Sequence, residues 1–151
     1  MKKILFATGI AFLCTLTANA QQYEYRIITS VESIVPAGVG RSRLIAASED
    51  KDYKEYTSAR SEEDNDRNKT DRGEIRVKNF EETKLLNFYN LGGIRFQNIA
   101  GNDAVISSKI NAMTKEGWEL AFVVSAVESD SGKEDGNGIF ITRYIFKRLT
   151  K

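Results

Sequence analysis

The stretch NDAVISSKINAMTKEGWELAFVVSAV, residues 102–127, decides the fold. Asn102 and Asp103 are residue types that cap helices, and Ile106, Ile110 and Met113 recur at i, i+4 and i+7 along one helical face. Lys109 and Lys115 sit toward the carboxyl end, where cations suit the helix dipole, and Gly117 supplies a left-handed stop. The spacing predicts a helix over 103–116. Trp118 to Val127 is then apolar on both faces after Glu119, the pattern of a central strand. Residues 139–149, IFITRYIFKRL, put Phe140, Tyr144 and Phe146 on one face and Ile139, Ile141 and Ile145 on the other. The two runs predict an antiparallel hairpin across the polar turn 128–138.

Working outward, YEYRIITSV (23–31) begins with Tyr23, Tyr25 and Ile27 alternating with Glu24 and Arg26, and its composition favours a strand. VPAGVG (35–40) holds the only proline and reads as a loop, and RSRLIAAS (41–48) reads as a second strand. From Glu49 to Glu74 there are ten acidic and six basic residues and few apolar ones. Such a stretch buries little, so it reads as a solvated loop inserted at about 49–74, with a short strand expected near Tyr53–Thr57. Residues 75–99 regain apolar groups cut by Asn and by Gly92-Gly93, suggesting short extended pieces joined by turns.

The expected architecture is α+β: an antiparallel sheet of four or five strands with one main helix packed on one face. The helix stripe should meet Trp118, Phe122, Phe140 and Tyr144, or their opposite-face neighbours.

The first twenty residues, MKKILFATGIAFLCTLTANA, carry a different signal. Lys2 and Lys3 precede an apolar run, Ile4 to Leu16, and Ala18-Asn19-Ala20 places small side chains where a signal peptidase cuts. The run is shorter than the roughly 20 apolar residues a spanning helix needs. Leu13 precedes Cys14 where a lipid-attachment site wants a small residue. Residues 1–20 are therefore expected to be a signal peptide. The mature chain, 21–151, is expected to be one α+β domain with no transmembrane segment, either periplasmic or extracellular, with outer-membrane association left open.

Composition narrows the chemistry. The chain has 151 residues, with 22 basic against 21 acidic, and losing Lys2 and Lys3 leaves 20 against 21. A near-neutral chain has no global field to draw it to nucleic acid, so no nucleic-acid partner is expected. There is no histidine, and the only cysteine is Cys14. Histidine-based triads, zinc sites of the HExxH type, thiol nucleophiles and disulfides in the mature chain are all excluded. Catalysis would have to use carboxylates, Lys, Tyr or Ser, so the reading leans away from an enzyme. No cofactor and no metal are expected.

Several constellations remain. Gly38, Gly40, Arg41 and Arg43 lie in GVGRSR, where glycine amides and guanidinium groups would suit an anion. The favoured reading is a plain glycine turn between strands with the arginines facing water, and the anion site is the alternative. Asp64, Asp66, Asn68 and Thr70 alternate as in a calcium loop, but Lys69 and Ile75 stand where a glycine and a bidentate glutamate belong. Asp130, Glu134 and Asp135 surround Lys133 and read as a hairpin tip. Trp118, Phe88 and Tyr89 are candidates for an aromatic patch, and LLNFYNLGG is the place to look for one; Trp118, just after a helix-ending glycine and at the start of an apolar strand, reads as a core anchor in preference to a sugar platform. Ser48 and Lys51 match the spacing of a serine–lysine pair at the edge of the charged loop.

The order YEYR, helix, KEGWEL, strand, closing strand ending FKR resembles a small bacterial family, domain of unknown function 4177. The matching residues are Tyr23–Val31, Ile106–Val124 and Ile139–Arg148, with Glu116-Gly117-Trp118-Glu119-Leu120 as the most specific part. The resemblance implies one short sheet crossed by one helix, and brings no activity and no catalytic residues. The long insertion, about 33–101, departs from that pattern and is similar to an uncharacterised exported group. The leading expectation is a non-catalytic envelope or periplasmic interaction module with a protein partner. A small-ligand or glycan-binding protein is the alternative, and a carboxylate-based hydrolase is third.

Overall fold

The computed structural model describes residues 21–35, 40–63, 65–128 and 138–150. Residues 1–20 with Cys14, Gly38 in the proline loop, Asp64, and the hairpin tip with Asp130, Lys133, Glu134 and Asp135 lie outside the described residues.

Seven strands and one long helix follow in order: β1 (Tyr23–Ser33), β2 (Ser42–Ala47), a one-turn α1 (Arg72–Ile75), β3 (Phe80–Leu85), β4 (Tyr89–Asn90), β5 (Gly93–Ile94), α2 (Phe96–Lys115), β6 (Glu119–Glu128) and β7 (Ile139–Leu149). Five strands form one antiparallel sheet in the order β3-β2-β1-β7-β6, while β4 and β5 make a separate small hairpin. The α+β architecture is the expected one, with α2 against one face of the sheet.

The longest seam is β1 against β7, paired from Tyr23↔Leu149 to Ser33↔Ile139. Because side chains alternate along a strand, this register puts Ile28, Ser30, Tyr144 and Phe146 under the helix. Their neighbours Ile27, Thr29, Ile141 and Ile145 lie on the opposite face. The core consists of Ile28, Leu44, Ala46, Leu85, Ile106, Met113, Trp118 and Phe146, with Val105, Ile110, Leu120 and Tyr144 packed around it. The helix stripe read from the sequence therefore meets Trp118 and Tyr144 as expected. Phe146 takes the place given to Phe122, which is 64% exposed on the far face. A bulge between Leu120 and Phe122 is the cause, since the extra residue shifts the alternation of β6.

The end of α2 follows the sequence. Gly117 has φ +86°, Gly117 N–H donates to Thr114 O at 3.0 Å, and Trp118 N–H donates to Met113 O at 3.0 Å. This pair of bonds is the Schellman stop, and it drops the Trp118 ring straight into the core.

The start of α2 does not follow the sequence. The helix begins at Phe96, seven residues before the expected 103, with Arg95 at its N-cap making no side-chain cap. Asn102 is an interior helical residue, 1% exposed, and not a cap. Its side chain accepts from Leu86 N–H at 2.8 Å and donates to Leu86 O at 2.8 Å and Glu32 Oε1 at 2.7 Å. Asn98 Nδ2 donates to Asn87 O at 2.8 Å in the same manner. Asn, Gly and Asn at 98, 101 and 102 weaken helix propensity; bonds to the strand–hairpin connection at 86–87 outweigh it.

Two further expectations are corrected. Tyr53–Tyr56 forms a 3₁₀ turn, not a strand, because Asp52 accepts from Lys54 N–H and Thr57 closes the turn on Lys54 O. And β6 is an edge strand, not a central one: β7 occupies one side of it, and among the described residues no strand pairs with the other.

Candidate functional site

The unusual feature of this molecule is the sheet face that α2 does not cover. An antiparallel sheet with one solvated face normally alternates apolar and polar residues. Here the far side carries Tyr23, Tyr25, Ile27 and Val31 from β1, and Ile139, Ile141, Ile145 and Leu149 from β7. Phe122 and Val124 of β6, Ile45 of β2 and Phe80 of β3 continue it. Tyr25 is 61% exposed, Ile27 49%, Phe122 64% and Val124 56%.

The charged residues of β1, Glu24, Arg26 and Glu32, point the other way. Arg26 and Arg148 both lie over the Trp118 ring, at 5.0 and 4.3 Å from its centroid. Arg148 also bonds Glu24 at 2.8 Å and Glu116 O at 3.2 Å. Trp118 is 4% exposed, a buried anchor with two cations over its ring and no open face for a sugar.

A second cluster is polar and buried. Glu32, Asn102, Ser30, Ser33, Ser42 and Thr142 are all buried. Burial holds the Glu32 carboxyl above the usual carboxylate range, the Asn102 hydrogen bond offsets part of this, and the nearby Asp103 charge adds to it. Burial likewise pushes the Tyr144 hydroxyl up. The Ser30 side chain beside that hydroxyl offsets part of this. Glu32 and Asp103 are the nearest thing to a catalytic carboxylate pair, but Glu32 is 7% exposed and committed to Asn102. It lines neither the cleft beside Tyr89 nor the one beside Tyr56.

The candidates from the sequence scatter. Gly40 serves packing: a methyl there would overlap Ser33 Oγ and Cβ, and its carbonyl accepts from Asn87 Nδ2 at 2.6 Å. Ser42 Oγ accepts from Ser33 N–H at 2.9 Å and donates to Asn87 Oδ1 at 2.8 Å, completing the seam. Arg43 is on the open face, bound to Glu82 and to Ser42 O, and Arg41 is exposed. These residues do not converge on an anion. Gly40→Ala should cost about 1–3 kcal/mol through overpacking, read as a lowered urea midpoint at unchanged slope. An unchanged midpoint would show that the close approach to Ser33 is not required.

Phe88 and Tyr89 are half-buried, and the exposed apolar groups of that region are Leu91 (94%), Phe96 (74%), Ile94 and Leu86. Tyr89 lines a shallow cleft of about 650 Å³ with Asn87, Asn90, Arg95 and Asn98. Its amides are largely spent on the fold: Asn87 on Gly40 and Ser42, Asn98 on Asn87 O, Asn90 on Gly92 N–H.

In the charged insertion, Asn68 and Thr70 bond back to Glu55 O, at 2.7 and 2.9 Å, and hold the loop together. Lys51 is taken up by Glu74 O at 3.0 Å and by Glu49, not by Ser48. Among the described residues no group of three His, Cys, Asp or Glu side chains is placed to hold a metal ion, and no helix is long and apolar enough to cross a membrane.

Comparison with protein-family models, with curated proteins and with solved structures finds no match to this chain.

Proposed function

We propose that this protein is an exported, non-catalytic interaction module of the cell envelope, and that it works by docking a protein partner on the open face of its sheet. The observation that carries the reading is the apolar far side of β1, β7 and β6, with Tyr25, Ile27, Phe122 and Val124 each about half exposed or more. Apolar faces of this extent on a folded chain mark interaction sites. The basic, apolar, small-residue order of residues 1–20 supports export. The absence of histidine, and of cysteine beyond Cys14, supports a role that needs no thiol nucleophile or imidazole. The likeness to domain of unknown function 4177 is kept as a proposal about ancestry and adds no activity.

The glycan-binding alternative has one observation in its favour, the cleft beside Tyr89 and Arg95, and ranks second because that cleft's amides already serve the loop.

A photo-reactive residue placed at Thr29, on the open face, tests the reading in living cells expressing the full chain. The same group at Ser107, on the exposed side of α2, is the control. A discrete, stoichiometric protein adduct from position 29 and none from position 107 is expected. No adduct from position 29 would overturn the reading. Intact mass of the purified protein should show the loss of residues 1–20, and their retention would overturn export.

A further inference from the structure

We propose that the occupant of the open face is a second copy of this chain, giving a two-fold symmetric dimer with two sheets stacked face to face. The inference rests on reading that face as the docking surface, and it names what docks there.

The first support is area. With about 150–250 Å² for a fully exposed aromatic side chain and less for an aliphatic one, the exposures on this face leave roughly 700–900 Å² of apolar surface. That exceeds the largest patch of an ordinary monomer, about 300–600 Å². It matches the roughly 800 Å² per partner of a standard stable interface.

The second is shape. Aligned antiparallel sheets pack about 10 Å apart with interdigitating side chains. The far side of a five-stranded sheet, with β-branched Ile27, Val31, Ile45, Ile139, Ile141, Ile145 and Val124 spread across it, is a surface of that kind.

The third is charge. Both signs occur on the face. Arg43 is paired with Glu82, and Lys147 with Glu119 at 3.3 Å. Arg143, at the centre of β7, makes no ion pair among the described residues, and Glu128 lies on the same face of the neighbouring strand. In a two-fold contact each copy offers its own carboxylates to the other's Arg143. A face carrying both signs suits a second copy better than an anionic lipid surface, which favours clustered cations without carboxylates.

The decisive measurement is sedimentation equilibrium on the protein purified from cells expressing the full chain. Tyr25→Glu and Phe122→Glu change two of the most exposed side chains on the open face. Val123→Glu, 52% exposed on the opposite face of the same strand, is the control. The parent chain and the Val123 variant should sediment at twice the chain mass. The two open-face variants should be folded by circular dichroism, with a dimer dissociation constant raised roughly tenfold or more. If Phe122→Glu disturbs folding, Tyr25→Glu alone decides the point. A monomeric parent chain, or a dimer indifferent to both open-face changes, overturns the inference. A monomer that still gives a heterologous adduct from position 29 leaves the docking surface standing and removes only the second copy, whereas no adduct of any kind removes both.

Discussion

Replacing Trp118 by Ala should cost about 3–5 kcal/mol of folding stability, the range for removing a buried large aromatic. Trp118 is 4% exposed and sits in the core with Ile28, Met113 and Phe146. It is also the residue that follows the Gly117 stop, so one side chain joins the end of α2 to the start of β6. Its loss leaves a cavity and removes the ring that Arg26 and Arg148 lie over. The Arg148 guanidinium keeps Glu24, so the cation stays paired and the cost is mainly packing. Urea denaturation followed by circular dichroism measures it, and Trp118→Phe should recover more than half of the loss. A cost below about 1 kcal/mol would place Trp118 outside the energetic core.

The second large effect is expected at Asn102. Asn102→Ala removes three hydrogen bonds, leaving the Leu86 N–H and carbonyl and the Glu32 carboxylate without this partner. Each buried group left unsatisfied costs about 1–3 kcal/mol, so a loss of about 3 kcal/mol or more is expected. The loss should also depend on pH. Glu32 already holds its proton more tightly in the folded state than when unfolded, so its ionisation opposes folding. The corresponding stability is fully present below the unfolded carboxylate pKa and is lost as pH rises through the higher folded value. Without the Asn102 donor the anion is less well held, and the folded value rises further. Asn102→Ala should therefore cost more at pH 7 than at pH 4. Adding Glu32→Gln should flatten that difference, because the glutamine carries no charge. Equal losses at both pH values would mean that Glu32 is solvated in the variant.

How much of this was legible can be judged residue by residue. The stripe Ile106, Ile110, Met113 and the stop at Gly117 needed only local periodicity and a glycine's access to positive φ. Both stand in the structure. The early start of α2 was hidden because its first two turns are held by Asn98 and Asn102 bonding to residues 86 and 87, which no local propensity reports. Gly40 admitted both a turn and an anion loop because a glycine needed for close approach and one needed to cradle a ligand are the same letter. Where an aromatic patch was expected at Phe88 and Tyr89, both are half-buried, and the exposed apolar side chains of the region are Leu91, Ile94 and Phe96.

By itself the sequence determined the α+β class, the antiparallel strands and the excluded chemistries, because residue type and period 2 or 3.6 are properties of the chain alone. It also determined that β1 has an apolar side and a charged side. Only the tertiary structure decided which side α2 covers. The helix lies over Glu24, Arg26 and Glu32, whose charges find Arg148, the Trp118 ring and Asn102, and Tyr25 and Ile27 are left outside. Likewise an apolar strand such as β6 reads as central from its composition, but its place at the edge is set by pairing order, a relation between distant segments. The open face exists because burial is settled by partners across the fold, and the strand pattern records only that both faces of the sheet are suited to burial.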